Sequence, residues 1–196
     1  MGEYIGRRMN RSHFDMTTWG LSHVDVAPDA DVLDIGCGGG RTLARLAALA
    51  PRGRICGIDA SEKSVAMSRR HNAAAIATGR MDVRRGSVSA LPFRDATFHL
   101  VTAVETHYFW PDLASDFREV LRVLRPGGRF LLLAEIYDTP RFDARNRKYL
   151  ELVPMTYLTA AQCRDLFTAA GFDDVAVHEE PDHGWLCCVG RRPNFH

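Results

Sequence analysis

Four glycines in five residues, Gly36, Gly38, Gly39 and Gly40, follow the apolar run Val32-Leu33-Asp34-Ile35. Without Cβ atoms such a loop turns tightly and lets its backbone lie against a ligand. The helix expected next, over Thr42 to Ala50, directs its unpaired N–H groups toward the same place. Asp34, two positions before the first glycine, and Cys37, inside the loop, belong to the same constellation. A second acid, Asp59, closes the next apolar run and is followed by Ala60 and Ser61. A carboxylate there either accepts hydrogen bonds from both hydroxyls of a ribose or caps the helix that begins near Ser61. The glycine loop upstream favours the nucleoside reading. A dinucleotide fingerprint would need glycine at position 41, where this chain has Arg41.

These residues must be held by regular elements, and the sequence supplies them in alternation. Strands are expected over 32–36, 54–59, 81–85, 98–105 and 129–136. Helices are expected over 42–50, from Ser61 to about Thr78 with Gly79 as its stop, over 112–124, and over 159–170 with Thr159 as cap. Pro126-Gly127-Gly128 reads as the halt between the third helix and the most hydrophobic strand. Two further strands, 174–180 and 185–191, are joined by Pro181-Asp182-His183-Gly184, a link short enough for antiparallel pairing. Alternation of this kind gives an α/β fold, a mostly parallel sheet with helices on both faces and an antiparallel edge. Ligands of such sheets lie beyond the carboxyl ends of the strands. Residues 1–30 read as a short helical lead with Phe14, Trp19 and Leu21 as apolar anchors, and 31–196 as one domain.

Composition narrows the class of protein. With 46% hydrophobic and 25% charged residues in a 196-residue chain, a packed core is expected and disorder is excluded. A net charge of +1 gives no general attraction to nucleic acid or to an anionic membrane. No apolar run approaches the roughly 18 residues of a spanning helix, and residues 1–10 do not form a secretory signal. Cys37, Cys56, Cys163, Cys187 and Cys188 are odd in number and lack C-x-x-C spacing, so buried free thiols in a cytoplasmic protein are expected. His178, Glu179, Asp182 and His183 fit no usual zinc spacing, and no metal is expected.

The chain resembles the class I S-adenosylmethionine-dependent methyltransferases, in their small-molecule, type 11-like branch. The resemblance rests on Val32 through Gly40, on Gly57-Ile58-Asp59-Ala60-Ser61, on Leu91-Pro92-Phe93 before Phe98, and on Leu124-Arg125-Pro126-Gly127-Gly128. It implies a Rossmann-like seven-stranded sheet whose last strand inserts antiparallel, under a short amino-terminal helical lid. It implies S-adenosylmethionine as cofactor and S-adenosylhomocysteine as product. The Gly36–Gly40 loop would contact the methionyl part, Asp59 the ribose and the Gly86-Ser87-Val88 turn the adenine, with Asp34, Gly36, Cys37, Gly38, Gly40, Asp59, Ala60, Ser87, Val88 and Glu105 as the expected cofactor residues. The family usually has an acid where this chain has Ser87, whose uncharged hydroxyl binds more weakly, by ~1 kcal/mol.

Methyl transfer from a sulfonium needs collinear placement above all, and a base where the acceptor must lose a proton. Val104-Glu105-Thr106-His107-Tyr108-Phe109-Trp110 ends the strand expected to face the methyl group. His107, with a reference pKa of about 6.5, and Tyr108 are the candidate catalytic pair. The alternative is a loop histidine above aromatics packed under the next helix. Glu105 either contacts the cofactor, positions His107 or forms a salt bridge. Met9, Asn10, His13, Trp19, Glu135 and Tyr137, with His107 and Tyr108, are the expected substrate contacts. The connection from Glu135 to about Tyr157 is long enough for a binding loop, with Arg141, Arg145, Arg147 and Lys148 making it basic. The expected function is methyl transfer to a small molecule by a monomer or homodimer, with no nucleic-acid or membrane partner. An NAD(P)-dependent oxidoreductase of Rossmann type and a non-catalytic cofactor sensor are the rival readings.

Overall fold

A computed structural model describes residues 14–194. The elements run β1 (Val32–Ile35), α2 (Arg41–Leu49), β2 (Ile55–Asp59), α3 (Glu62–His71), α4 (Ala73–Ala77), β3 (Met81–Arg85) and β4 (Phe98–Val104). Then come α5 (Leu113–Val123), β5 (Leu124–Ala134), α6 (Asp143–Leu152), α7 (Ala160–Ala170), β6 (Asp173–Glu180) and β7 (Trp185–Arg191). Residues 14–21, within the expected lead, are helical and form α1.

Among the described residues seven strands form one sheet in the order β3-β2-β1-β4-β5-β7-β6. β1 pairs parallel with β2 and β4, and β5 continues the parallel series. β7 then inserts antiparallel between β5 and β6, as the resemblance implies. The strand order reverses direction at β1 and β4, so their carboxyl ends open the crevice in which ligands of such sheets bind.

Period-two alternation divides the core between the two faces. Val32, Leu43, Leu46, Ile55, Val65, Leu131 and Leu133 pack on the α2 and α3 side. Leu33, Ile58, Phe117, Phe130, Leu132 and Phe167 pack on the α5 and α7 side. There Phe117 meets Phe130 and Phe167 edge-to-face while Phe130 and Phe167 stack, with ring centroids 4.9–5.3 Å apart, which pins both helices to β5.

Three local readings are corrected. The helix from Ser61 breaks at Asn72, whose side-chain amide donates to the carbonyls of Gly40 and Ser68 at 3.0 Å each. The break therefore serves a contact with the glycine loop. Pro126-Gly127-Gly128 does not end an element, because β5 begins at Leu124 and carries the three residues across a register shift against β4. The basic connection after Glu135 contains α6, which only Asn146 anchors as a fully buried side chain.

Candidate active site

The glycine loop is fixed from both ends. Gly36 and Cys37 donate their N–H groups to the Ile58 carbonyl at 2.8 and 2.9 Å, binding the loop to β2. Gly36, Gly38 and Gly40 all have positive φ, at 71°, 51° and 83°. A Cβ at Gly36 would stand 2.1 Å from Thr106 Oγ1, and one at Gly40 would stand 2.4 Å from Asn72 and Ser68. Gly40 thus serves packing and caps α2, between Gly39 and Arg41 on the wall of the larger cavity described below. Gly38 differs, since a Cβ there would meet nothing within 4 Å. Its bareness leaves open space beside the backbone, as a bound ligand requires.

Asp59 spans the loop and the following turn. Its Oδ2 accepts from Gly38 N–H at 2.9 Å and its Oδ1 from Ser61 N–H at 2.8 Å. The helix cap itself is Ser61, whose hydroxyl accepts from Ser64 N–H. Asp34 lies beneath the loop, 2% exposed, with Oδ1 accepting from Thr102 Oγ1 at 2.7 Å. Burial raises its pKa to about 7, offset in part by the Thr102 bond and assisted by the charge of Asp59.

Two cavities flank this arrangement. The smaller, about 390 Å³, is lined by Asp59, Ala60, Gly86, Ser87, Val88 and Trp110, among others. The larger, about 750 Å³, is lined by Asp34, Cys37 and Gly38 with Phe14 and Thr17 of α1 and Arg41, Arg45 and Arg70. Gly36 and Glu105 line both. Glu105 follows β4 with φ 57°, a left-handed conformation uncommon outside glycine. Its Oε1 accepts from Tyr108 Oη at 2.8 Å and from Glu135 N–H at 2.5 Å. Burial raises the Glu105 pKa to about 7, countered by these hydrogen bonds.

The expected cofactor residues Asp34, Gly36, Cys37, Gly38, Asp59, Ala60, Ser87, Val88 and Glu105 are thus gathered around adjoining cavities. The acceptor side differs from expectation. His107 is 2% exposed, burial lowers its pKa to about 3, and its Nδ1 is enclosed with no hydrogen-bond partner. A ring that resists protonation is unsuited to act as a base near neutral pH. Tyr108 is 4% exposed; its hydroxyl donates to Glu105 and accepts from Ile136 N–H at 3.0 Å. Burial and the neighbouring Glu105 raise its pKa far above the usual phenol value.

Trp19 packs against His23 and Trp185, Glu135 pairs with Arg145 at 3.2 Å, and Tyr137 donates to Glu179 at 2.9 Å. None of these three, nor His107 or Tyr108, lines either cavity. Met9, Asn10 and His13 lie outside the described residues. The sequence reading missed Arg41, Thr42 and Arg45, which share one face of α2 at helical spacing directly after the glycine loop. That spacing was the available signal. Met67, Arg70 and His71 reach the larger cavity from α3.

A glycine loop braced by an acid at the tip of the adjacent parallel strand defines a nucleoside-binding α/β protein. A methyltransferase-domain family model matches residues 32–128. The demethylmenaquinone methyltransferase of Symbiobacterium thermophilum is 35% identical over 180 residues, covering 78% of this chain and 72% of that protein. A sterol methyltransferase-like protein of Botryococcus braunii is 33% identical over 128 residues, covering 65% of this chain but 32% of that protein. The chain thus spans about a third of the length of the first curated relatives it matches. A chain from the complex between the Haloferax volcanii Trm112 methyltransferase activator and a methyltransferase has the same fold, with a TM-score of 0.82 at 23% identity. The alignment covers 96% of this chain and 93% of that one. The chain belongs to the class I S-adenosylmethionine-dependent methyltransferases, the family whose cofactor is S-adenosylmethionine and whose spent product is S-adenosylhomocysteine.

Proposed function

We propose that the chain transfers a methyl group from S-adenosylmethionine to a small-molecule acceptor. One observation carries this reading: Gly38 N–H is bonded to Asp59 while the side-chain position of Gly38 opens into empty space. A ligand lying there meets bare backbone and a carboxylate together. Asp59 has lone pairs left for the ribose hydroxyls. Asp34, Gly36, Cys37 and Gly38 hold the methionyl end, while Ala60, Ser87 and Val88 flank the adenine. When bound, the cofactor supplies a methyl group activated by its sulfonium for in-line displacement.

The chain's own contribution is placement. Left-handed glycines fix the loop, Asp59 sets its distance from β2, and Trp110 closes the smaller cavity with an apolar wall. Such positioning supplies much of the acceleration in a displacement of this kind. His107 has no part as a base in this proposal, and the acceptor reacts through orientation. The helix α1 serves as a cover, with Phe14 and Thr17 on the wall of the larger cavity. A small acceptor fits that cavity's volume, and the demethylmenaquinone and sterol relatives carry small molecules in their names. A net charge of +1 supports a substrate other than nucleic acid. Among the described residues no helix is long and apolar enough to cross a membrane.

Calorimetric titration tests the reading. S-adenosylmethionine and S-adenosylhomocysteine are expected to bind one per chain and NAD not at all; NAD binding alone would overturn it. Incubating the protein with a metabolite extract and isotopically labelled methyl donor, followed by mass spectrometry, then identifies the acceptor.

A further inference from the structure

We propose that Glu105 distinguishes the charged cofactor from its uncharged spent form, its carboxylate serving as counter-ion to the sulfonium. The inference rests on the methyltransferase reading above and assigns its site a residue-level basis for selectivity. Among the described residues only Gly36 and Glu105 line both cavities, so the side chain stands where they adjoin. The left-handed backbone is held there by Glu105 N–H donating to the Leu133 carbonyl at 3.0 Å.

Oε1 takes both hydrogen bonds, from Tyr108 and from Glu135 N–H, and Oε2 takes none among the described residues. Glutamine would satisfy the same two donors through its carbonyl oxygen. A carboxylate in that position costs desolvation without gaining a bond that the amide would lack. Among the described residues no Lys, Arg or His side chain forms an ion pair with it. The Arg145 guanidinium pairs with Glu135 and favours the Glu105 carboxylate less than the Glu135 carboxylate opposes it, while Tyr108 and His107 stay neutral. The charge therefore has its use in a cationic ligand.

The predicted pH dependence follows from a carboxyl that titrates near 7. An adjacent cation favours the ionised form, so affinity for the sulfonium rises as pH climbs through that value. S-adenosylhomocysteine, uncharged at sulfur, gains nothing from the same ionisation. Asp34 titrates in the same range and lines the larger cavity with the glycine loop. It faces the methionyl end that both ligands share, so its effect cancels in the ratio of their affinities.

The experiment is calorimetry with both ligands at pH 6 and pH 8, on the wild-type chain and on Glu105→Gln. In the wild type the ratio of S-adenosylmethionine to S-adenosylhomocysteine affinity should rise about tenfold between the two pH values. In Glu105→Gln it should stay flat, with S-adenosylhomocysteine binding within about twofold of wild type. A flat wild-type ratio overturns the proposal whether or not the variant folds, and so does an equal rise in the variant. If neither ligand binds, the methyltransferase reading falls with it; if both bind at a flat ratio, only the assignment to Glu105 falls.

Discussion

Both carboxylate oxygens of Asp59 are already engaged, one by Gly38 N–H and the other by Ser61 N–H. The residue thus shapes the loop before any ligand arrives, and its removal acts twice. Asp59→Ala is expected to weaken S-adenosylhomocysteine binding by about 1–3 kcal/mol, through lost charge-assisted bonds and a loosened loop. Calorimetry checks this, and an unchanged dissociation constant would remove Asp59 from the ligand's contacts. Asp34 acts on stability. Burial places its pKa at about 7, above the ~3.9 of an exposed aspartate. Its contribution is whole below pH ~4 and is lost as pH rises through 7, because the unfolded chain ionises first. Asp34→Asn keeps an acceptor for Thr102 and should raise the melting temperature at pH 8 while leaving it unchanged near pH 4. The glycines and both acids were legible because their types and spacing leave few alternatives. His107 was not, since a single histidine in sequence carries no sign of whether water reaches it.

The elements that hold the site differ in how plainly their residues declare them. α7 carries a full capping box, Thr159 with Gln162, and ends at Gly171 with φ 101°. Thr159→Ala should cost about 1 kcal/mol of stability in urea denaturation and leave ligand affinity unchanged, as the cap lies outside the site. The strands β1, β2 and β4 were legible as compact apolar runs ending at polar or glycine positions. α6 was not, because its fixation is tertiary. Arg145 reaches Glu135 and its carbonyl, and Asn146 donates to the Tyr137 carbonyl at 3.0 Å. Such contacts join residues across elements and leave no periodic trace. Asn72 follows the same rule: its side chain interrupts a helix to hold the glycine loop.

At the scale of the whole molecule, every thiol is buried, Cys37 among them although it stands in the glycine loop beside the larger cavity. All five cysteines are free and buried, and burial raises Cys37 to about 12 and Cys56 to about 11. A thiol reagent at pH 8 is expected to modify none of them rapidly in the native protein and all five in denaturant. A fast-reacting thiol other than Cys37 without denaturant would show that the core opens locally. The sheet order also has a consequence for synthesis. β7 occupies the place beside β5, and β6, made earlier, pairs only through it. On the ribosome, the rim formed by Arg129–Ala134 therefore waits, unzipped and greasy, until the final strand emerges. A nascent chain stalled before Trp185 presents that bare flank to its neighbours, and chaperone dependence should concentrate in that interval.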